Sequence, residues 1–279
     1  MKHEEGWLRG VGGLQIYWQA WLPDGEPRAT VVLAHGVSEH SARYAHVGRA
    51  LTDAGHALYA LDHRGHGRSE GDRANIERLD HVVADLLTLV ELAAERRGEK
   101  PFLLGHSMGG AVAVAFTLEH EDTIAGLLLS APAADTSAAS PVERVLGRLA
   151  SAVAPNLGVF KVHPDGVSRD PEVVRAYVED PLVFHEKLPA RTVSELVTAI
   201  HGFPDRLPGI SLPLLVMHGG DDPIVPLAAS EMIEKRAGSA DKKLIVYGDL
   251  YHEILNEPEQ DQVLADIVGW LGQHSQSAP

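Results

Sequence analysis

The sequence predicts an α/β fold, a mostly parallel central sheet flanked by helices and interrupted once by a helical insertion. Two observations carry this. Short runs rich in Val, Ile and Leu recur along the chain, and stretches of helical period separate them, which is the pattern of βαβ units. One long segment near the middle breaks that alternation. The chain of 279 residues is 44% hydrophobic and 23% charged, enough to bury a large core.

In chain order, Thr30–His35 (TVVLAH) reads as a buried strand, followed by an amphipathic helix over roughly Ala42–Ala54. Ala57–Asp62 (ALYALD) is the next strand and Leu79–Arg97 the next helix. Pro101–Gly105 and the helix Met108–Glu119 come after them, then the strand Ile124–Ser130 (IAGLLLS). From about Asp135 to Asp205 no strand is apparent. AADTSAASP opens this segment as a connecting loop. Val142, Val145, Leu146, Leu149 and Val153 then share one helical face, with Glu143, Arg144 and Arg148 on the other. The apolar stripe is expected to pack on the sheet domain; the sharper reading is that part of it faces acyl chains or a lipid surface. Pro155, Pro164, Pro171, Pro181 and Pro189 punctuate the rest of the insertion. The expected organisation is therefore a core in two parts, residues 1–134 and 206–279, around a helical cap, residues 135–205. The second part supplies the strands Pro213–His218 (PLLVMH) and Lys243–Gly248, with helices over Leu227–Ala237 and Pro258–Gln273. No internal repeat or low-complexity segment is present.

Composition narrows the function. A net charge of −15 argues against nucleic acid, whose phosphates require Lys and Arg patches. It also argues against electrostatic docking on anionic lipid. With no cysteine there is no disulfide and no thiolate metal site. The start MKHEEGWLRG lacks an apolar signal region, and no apolar run is long enough to span a bilayer. The expectation is a soluble, cytoplasmic protein, with peripheral lipid contact left open. His63-x-x-His66 has ligand-like spacing but sits in the glycine-rich DHRGHGRSEG, which reads as a structural turn; no metal is expected.

LLGHSMGGAV places Ser107 between Gly105 and Gly109, a G-x-S-x-G pattern. Chance alone would supply roughly 0.14 copies in a chain of this composition, so the context must decide. The motif sits just after a strand and just before a helix, as a nucleophile elbow requires. The turn lifts the serine hydroxyl to the carboxyl end of the sheet, where functional residues of such folds gather. The helix N-terminus adds free N–H groups and partial positive charge.

Serine is a weak nucleophile and needs a base, which in turn needs an orienting acid. In the α/β-hydrolase fold these come in the chain order Ser, Asp or Glu, His. After residue 222 only His252 and His274 remain. His274 lies in the polar tail HSQSAP and is expected to fray. His252, in GDLYHEILNE, comes after a strand and can reach the sheet top. The acid should come after the preceding strand, where MHGGDDPIVP offers Asp221 and Asp222. Asp205 and Asp180 lie in or near the insertion and are weaker candidates. Two backbone N–H donors should form an oxyanion hole. Met108, after the nucleophile, is one. Val37, in the loop HGVSEHSARY after the first strand, is the other.

HGVSEHSARY, LDHRGHGRSEG, LLGHSMGG, SRDPEVVRAYVEDPL, HGGDDPIVP and YHEILNEPE together resemble the monoacylglycerol lipases of the α/β-hydrolase fold, in their bacterial form. The likeness runs from about residue 9 to 273 and includes the cap. It implies hydrolysis of monoacylglycerols to glycerol and fatty acid through an acyl-enzyme, without a cofactor. It implies Ser107, Asp222 and His252 as the triad, favouring Asp222 over Asp221, and Val37 and Met108 as the oxyanion hole. It also implies Glu39, Arg43, His106 and Tyr177 as the polar pocket for the glycerol hydroxyls. Glu39 and Arg43 could equally form a salt bridge that shapes the oxyanion loop, and Tyr177 could simply pack the cap. Short-chain carboxylesterases and lysophospholipases share the scaffold and are the alternative activity. A catalytically silent binding protein is a further alternative, against which the intact Ser, Asp, His order argues. The chain departs from the family's usual H-G-x-G-E-H-S-G-R-Y at Ser38 and Ala42, where glycines are common. If Ser38 must adopt positive φ, the loop is strained.

Overall fold

The computed structural model describes residues 1–135, 137 and 140–275. Ten strands and eight α-helices are described: β1 (Lys2–Arg9), β2 (Gln15–Leu22), β3 (Thr30–Ala34), α1 (Ala45–Asp53), β4 (Ala57–Leu61), α2 (Leu79–Arg97), β5 (Phe102–His106), α3 (Met108–His120), β6 (Gly126–Ser130), α4 (Pro141–Val153), β7 (Gly158–Phe160), α5 (Pro171–Glu179), β8 (Leu188–Pro189), α6 (Ala190–Arg206), β9 (Leu214–Gly219), α7 (Ala228–Arg236), β10 (Lys242–Tyr247) and α8 (Gln260–His274).

Eight strands form one sheet in the order β1-β2-β4-β3-β5-β6-β9-β10. It is parallel except for β1 and β2. The apolar runs are unbroken because both faces are covered. Along β3, Val32 and Ala34 face the core under α2, α3 and α7, while Val31 and Leu33 face the core under α1 and α8. The same division holds at β9, with Leu214 and Val216 on one side and Leu215 and Met217 on the other.

The N-terminal hairpin has no counterpart among the strands expected from sequence. β1 (KHEEGWLR) is a solvated, charged edge strand with no apolar run to reveal it. β2 (QIYWQAWL) is almost wholly buried, and its aromatic content is a β signal the helical alternation obscured.

The segment between β6 and β9 carries α4 to α6 and the pair β7–β8, an antiparallel two-stranded sheet separate from the central one. The expectation of no strand here fails for that pair, which is too short to produce a periodic signal. The apolar stripe of α4 does not pack inward. Val142, Val145, Leu146, Leu149 and Val153 are 56–86% exposed. Its opposite, small-residue face lies against α6: Ser151 is buried, Gly147 and Ala150 are half-buried, and Arg144 reaches His201. Small side chains let the two helices approach, and that leaves the large apolar ones outside. His274 is not in a frayed tail either. It ends α8, stacks on Trp270 at 4.0 Å and bonds Asp241 at 2.9 Å.

Candidate active site

Ser107 joins β5 directly to α3 with φ 53° and ψ −118°, a strained conformation for a residue with a side chain. The glycines make this turn possible by close approach. A Cβ on Gly109 would lie 2.0 Å from the Ala34 carbonyl oxygen, and one on Gly105 would lie 2.4 Å from the Gly109 carbonyl oxygen. Helix and sheet therefore meet with no room for a methyl group.

The turn brings Ser107 to His252, which lies in the loop after β10. Ser107 Oγ is 2.8 Å from His252 Nε2, and His252 Nδ1 is 2.7 Å from Asp222 Oδ2. The carboxylate partner assigns the tautomer: Nδ1–H donates to Asp222 and Nε2 accepts from the serine hydroxyl. Asp222 Oδ1 accepts from the amides of Ile224 (2.8 Å) and Val225 (3.0 Å). His218 Nε2 lies 3.2 Å from Asp222 Oδ2. Burial alone would raise this carboxyl, yet hydrogen bonds from His218 and His252 hold it well below the usual carboxylate range. Asp221 is exposed, Asp205 is exposed on α6, and Asp180 is bonded to His40 at 2.8 Å. Of the four acidic candidates, only Asp222 meets His252.

Met108, the first residue of α3, and Val37, after Gly36 in the loop following β3, both line the cavity above Ser107. The Gly36 amide is already engaged, donating to Glu39 Oε1 at 2.6 Å. Ser38 has φ 70°, so the loop carries the strain expected from its departure from the glycine-bearing pattern. Ala42 lies in a 3₁₀ turn, Ser41–Tyr44, without positive φ. The loop is tied to the insertion twice: Phe184 N–H donates to the Ser38 carbonyl (2.8 Å), and His40 bonds Asp180.

Glu39, Arg43 and Tyr177 come together in one buried network, and Glu253, which sequence reasoning missed, completes it. Arg43 Nη1 donates to Glu39 Oε2 (2.8 Å) and Glu253 Oε1 (2.7 Å), and Nη2 to Glu253 Oε2 (2.7 Å). Its guanidinium lies 4.8 Å over the Tyr177 ring. Tyr44 O–H donates to Glu39 Oε1 at 2.7 Å. Burial, with Glu253 adding to it, raises the Glu39 carboxyl; burial also pushes on Glu253, but Arg43 outweighs it and lowers that carboxyl. His106 is buried with its ring 4.9 Å from that of His252, and Nδ1 donates to the Ser130 carbonyl at 3.1 Å. Burial, helped by His252, pushes it down to about 3, so it stays a neutral wall.

Two signals for the missed residues were present. His218 lies near the carboxyl end of β9, and Glu253 is a carboxylate directly beside the candidate base. His63 and His66 are buried in the turn after β4, and His63 N–H donates to His35 Nε2 at 2.9 Å. No group of three or more His, Asp or Glu able to hold a metal occurs among the described residues.

The cavity at Ser107 is about 290 Å³. One end carries Glu39, Tyr177 and Glu253; the other is apolar, built from α6 (Val193, Leu196, Ile200) and from Phe160 and Leu188 of the β7–β8 pair. An ester with a polar alcohol and an apolar acyl chain has that polarity.

The chain matches the family described as serine aminopeptidase, S33, over residues 25–259. It is 43% identical over 267 residues to a monoacylglycerol lipase of Mycolicibacterium smegmatis, covering 95% of each chain. It is 31% identical to the human monoglyceride lipase, covering 97% of this chain and 91% of that one. Among solved structures, a monoacylglycerol lipase of Paleococcus ferrophilus superposes with a TM-score of 0.83 at 28% identity, over 98% of this chain and all of the other.

Proposed function

Because the chain belongs to the monoacylglycerol lipase family of the α/β-hydrolases, we propose that it is a serine hydrolase cleaving monoacylglycerols to glycerol and free fatty acid. The observation that carries this is a serine–histidine–aspartate chain of 2.8 and 2.7 Å at the floor of a cavity polar at one end and apolar at the other.

Ser107 Oγ attacks the ester carbonyl while His252 Nε2 takes its proton and Asp222 holds the imidazole in the required tautomer. The tetrahedral oxyanion accepts from the N–H groups of Val37 and Met108. His252 passes the proton to the departing glycerol oxygen, leaving an acyl-enzyme on Ser107. Water, deprotonated by His252, then attacks the acyl carbonyl; the C–O bond to Ser107 breaks and the proton returns to the serine. Glu39 and Tyr177 face the glycerol hydroxyls, since an unpaired buried hydroxyl costs roughly 1–3 kcal/mol.

The insertion, residues 135–205, acts as a cap, and α4 is its contact with lipid. Phe160 supports this, because it lines the cavity and is also 52% exposed. From it the exposed apolar residues continue back along the chain through Val159 and Leu157 to the outer face of α4. With a net charge of −15 such contact is apolar rather than electrostatic. No helix among the described residues is long and apolar enough to cross a membrane.

The test is hydrolysis of glyceryl monoesters from octanoyl to stearoyl, with the matching di- and triacylglycerols, by wild type and Ser107→Ala. Monoester turnover that disappears in the variant is the expected result. Turnover of small activated esters but not monoacylglycerols would refute the lipase reading and favour a short-chain esterase.

A further inference from the structure

The polar end of the cavity has an unusual charge arrangement. Glu39 and Glu253 are 2% and 5% exposed and share a single cation, Arg43. Both carboxylates line the cavity, and so does Asp135. Among the described residues that line the cavity none is Lys or Arg, and Arg43 is held by Glu39 and Glu253, which do line it. Arg43 Nη1 serves both carboxylates, Nη2 serves Glu253, and Tyr177 covers a face of the guanidinium. An oxyanion such as phosphate needs N–H donors aimed at it, and guanidinium forks are the usual source. Here the fork is occupied by Glu253. A neutral polyol, whose O–H groups donate, meets acceptors instead.

Resting on the proposed lipase reading, we propose that Glu253 is a specificity-determining residue. By closing the Arg43 fork and adding a second carboxylate, it makes the head-group end accept neutral glyceryl esters and reject esters that carry a phosphate. The excess charge is present with Glu39 ionised; with Glu39 protonated, Glu253 still occupies the Arg43 fork. Repulsion of one phosphate charge by one uncompensated carboxylate across roughly 6 Å, at an effective dielectric of about 20, corresponds to about a 100-fold lower kcat/KM.

The clean comparison is 1-oleoylglycerol against 1-oleoyl lysophosphatidate in the same detergent micelles, since the two differ only by the phosphate. Wild type is expected to prefer the neutral ester by about 100-fold or more in kcat/KM. Glu253→Gln leaves Arg43 paired with Glu39 and removes the excess charge, so the preference should narrow by about tenfold or more. A merely structural role would lower both substrates equally and leave the ratio unchanged, which overturns the proposal. Equal hydrolysis of both esters by wild type does the same without any variant. A second readout uses the non-hydrolysable ethers 1-O-hexadecylglycerol and its phosphate as protectants of Ser107 against a fluorophosphonate probe. Preferential protection by the neutral ether without monoester turnover would keep the specificity and remove the lipase reading. Equal protection by both ethers would remove the specificity.

Discussion

Removing Arg43 should cost stability in a way that depends on pH. Arg43→Ala deletes three hydrogen bonds and leaves Glu39 and Glu253, with side chains 2% and 6% exposed, facing one another without a cation. Breaking a buried ion pair from one side costs about 3–5 kcal/mol. A chain of this length loses about 2–4 °C of Tm per kcal/mol, so the expected fall is about 6–20 °C near neutral pH. Glu39 is already raised by burial, and losing Arg43 removes the largest influence opposing that rise. A carboxyl raised in the folded state binds more protons folded than unfolded, so stability falls as pH rises above the unfolded value of about 4.3. The deficit of the variant should thus be largest at about pH 7.5 and shrink towards about pH 5. Thermal melts followed by circular dichroism at both values measure this. A loss of under about 2 °C at neutral pH, or a deficit that grows on acidification, would refute the reasoning. Adding Glu253→Gln to Arg43→Ala should recover part of the loss, because one of the stranded charges goes with it.

Asp222→Asn should lower kcat by about 10³–10⁴ with little change in KM, because the base loses its orienting acceptor; steady-state kinetics retaining kcat within about tenfold would contradict the triad. Gly109→Ala places a methyl carbon 2.0 Å from the Ala34 carbonyl oxygen, so α3 must separate from β3. It should cost more than about 3 kcal/mol, read as insoluble expression or a Tm drop. The double change Leu146→Asp and Leu149→Asp, both on the exposed face of α4, should abolish co-sedimentation with phosphatidylcholine vesicles while leaving hydrolysis of a water-soluble ester in place. Unaltered vesicle binding would show that α4 is not the lipid contact.

The buried strands and the serine turn were legible because each leaves a local signature. TVVLAH needs no partner to read as a strand, and G-x-S-x-G between strand and helix defines its own geometry. The network around Arg43 was legible only through the resemblance, and then incompletely. Arg43 and Glu253 are 210 positions apart, and no spacing rule connects them. The stripe of α4 was visible, but its direction was not. Periodicity gives which side chains share a face, whereas Gly147, Ala150 and Ser151 decide which face can approach α6. β1 escaped because a charged edge strand looks like any polar segment.

The bonds from Phe184 to the Ser38 carbonyl and from His40 to Asp180 have a kinetic meaning. Ser38, held at φ 70°, directly follows Val37, so the insertion is tethered to the loop one residue from the proposed oxyanion donor. On the proposed cap reading, displacing residues 135–205 breaks both bonds and frees the loop that carries Val37. Entry and chemistry would then fall at separate moments of the cycle. A faster-opening variant would capture substrate sooner and process it more slowly.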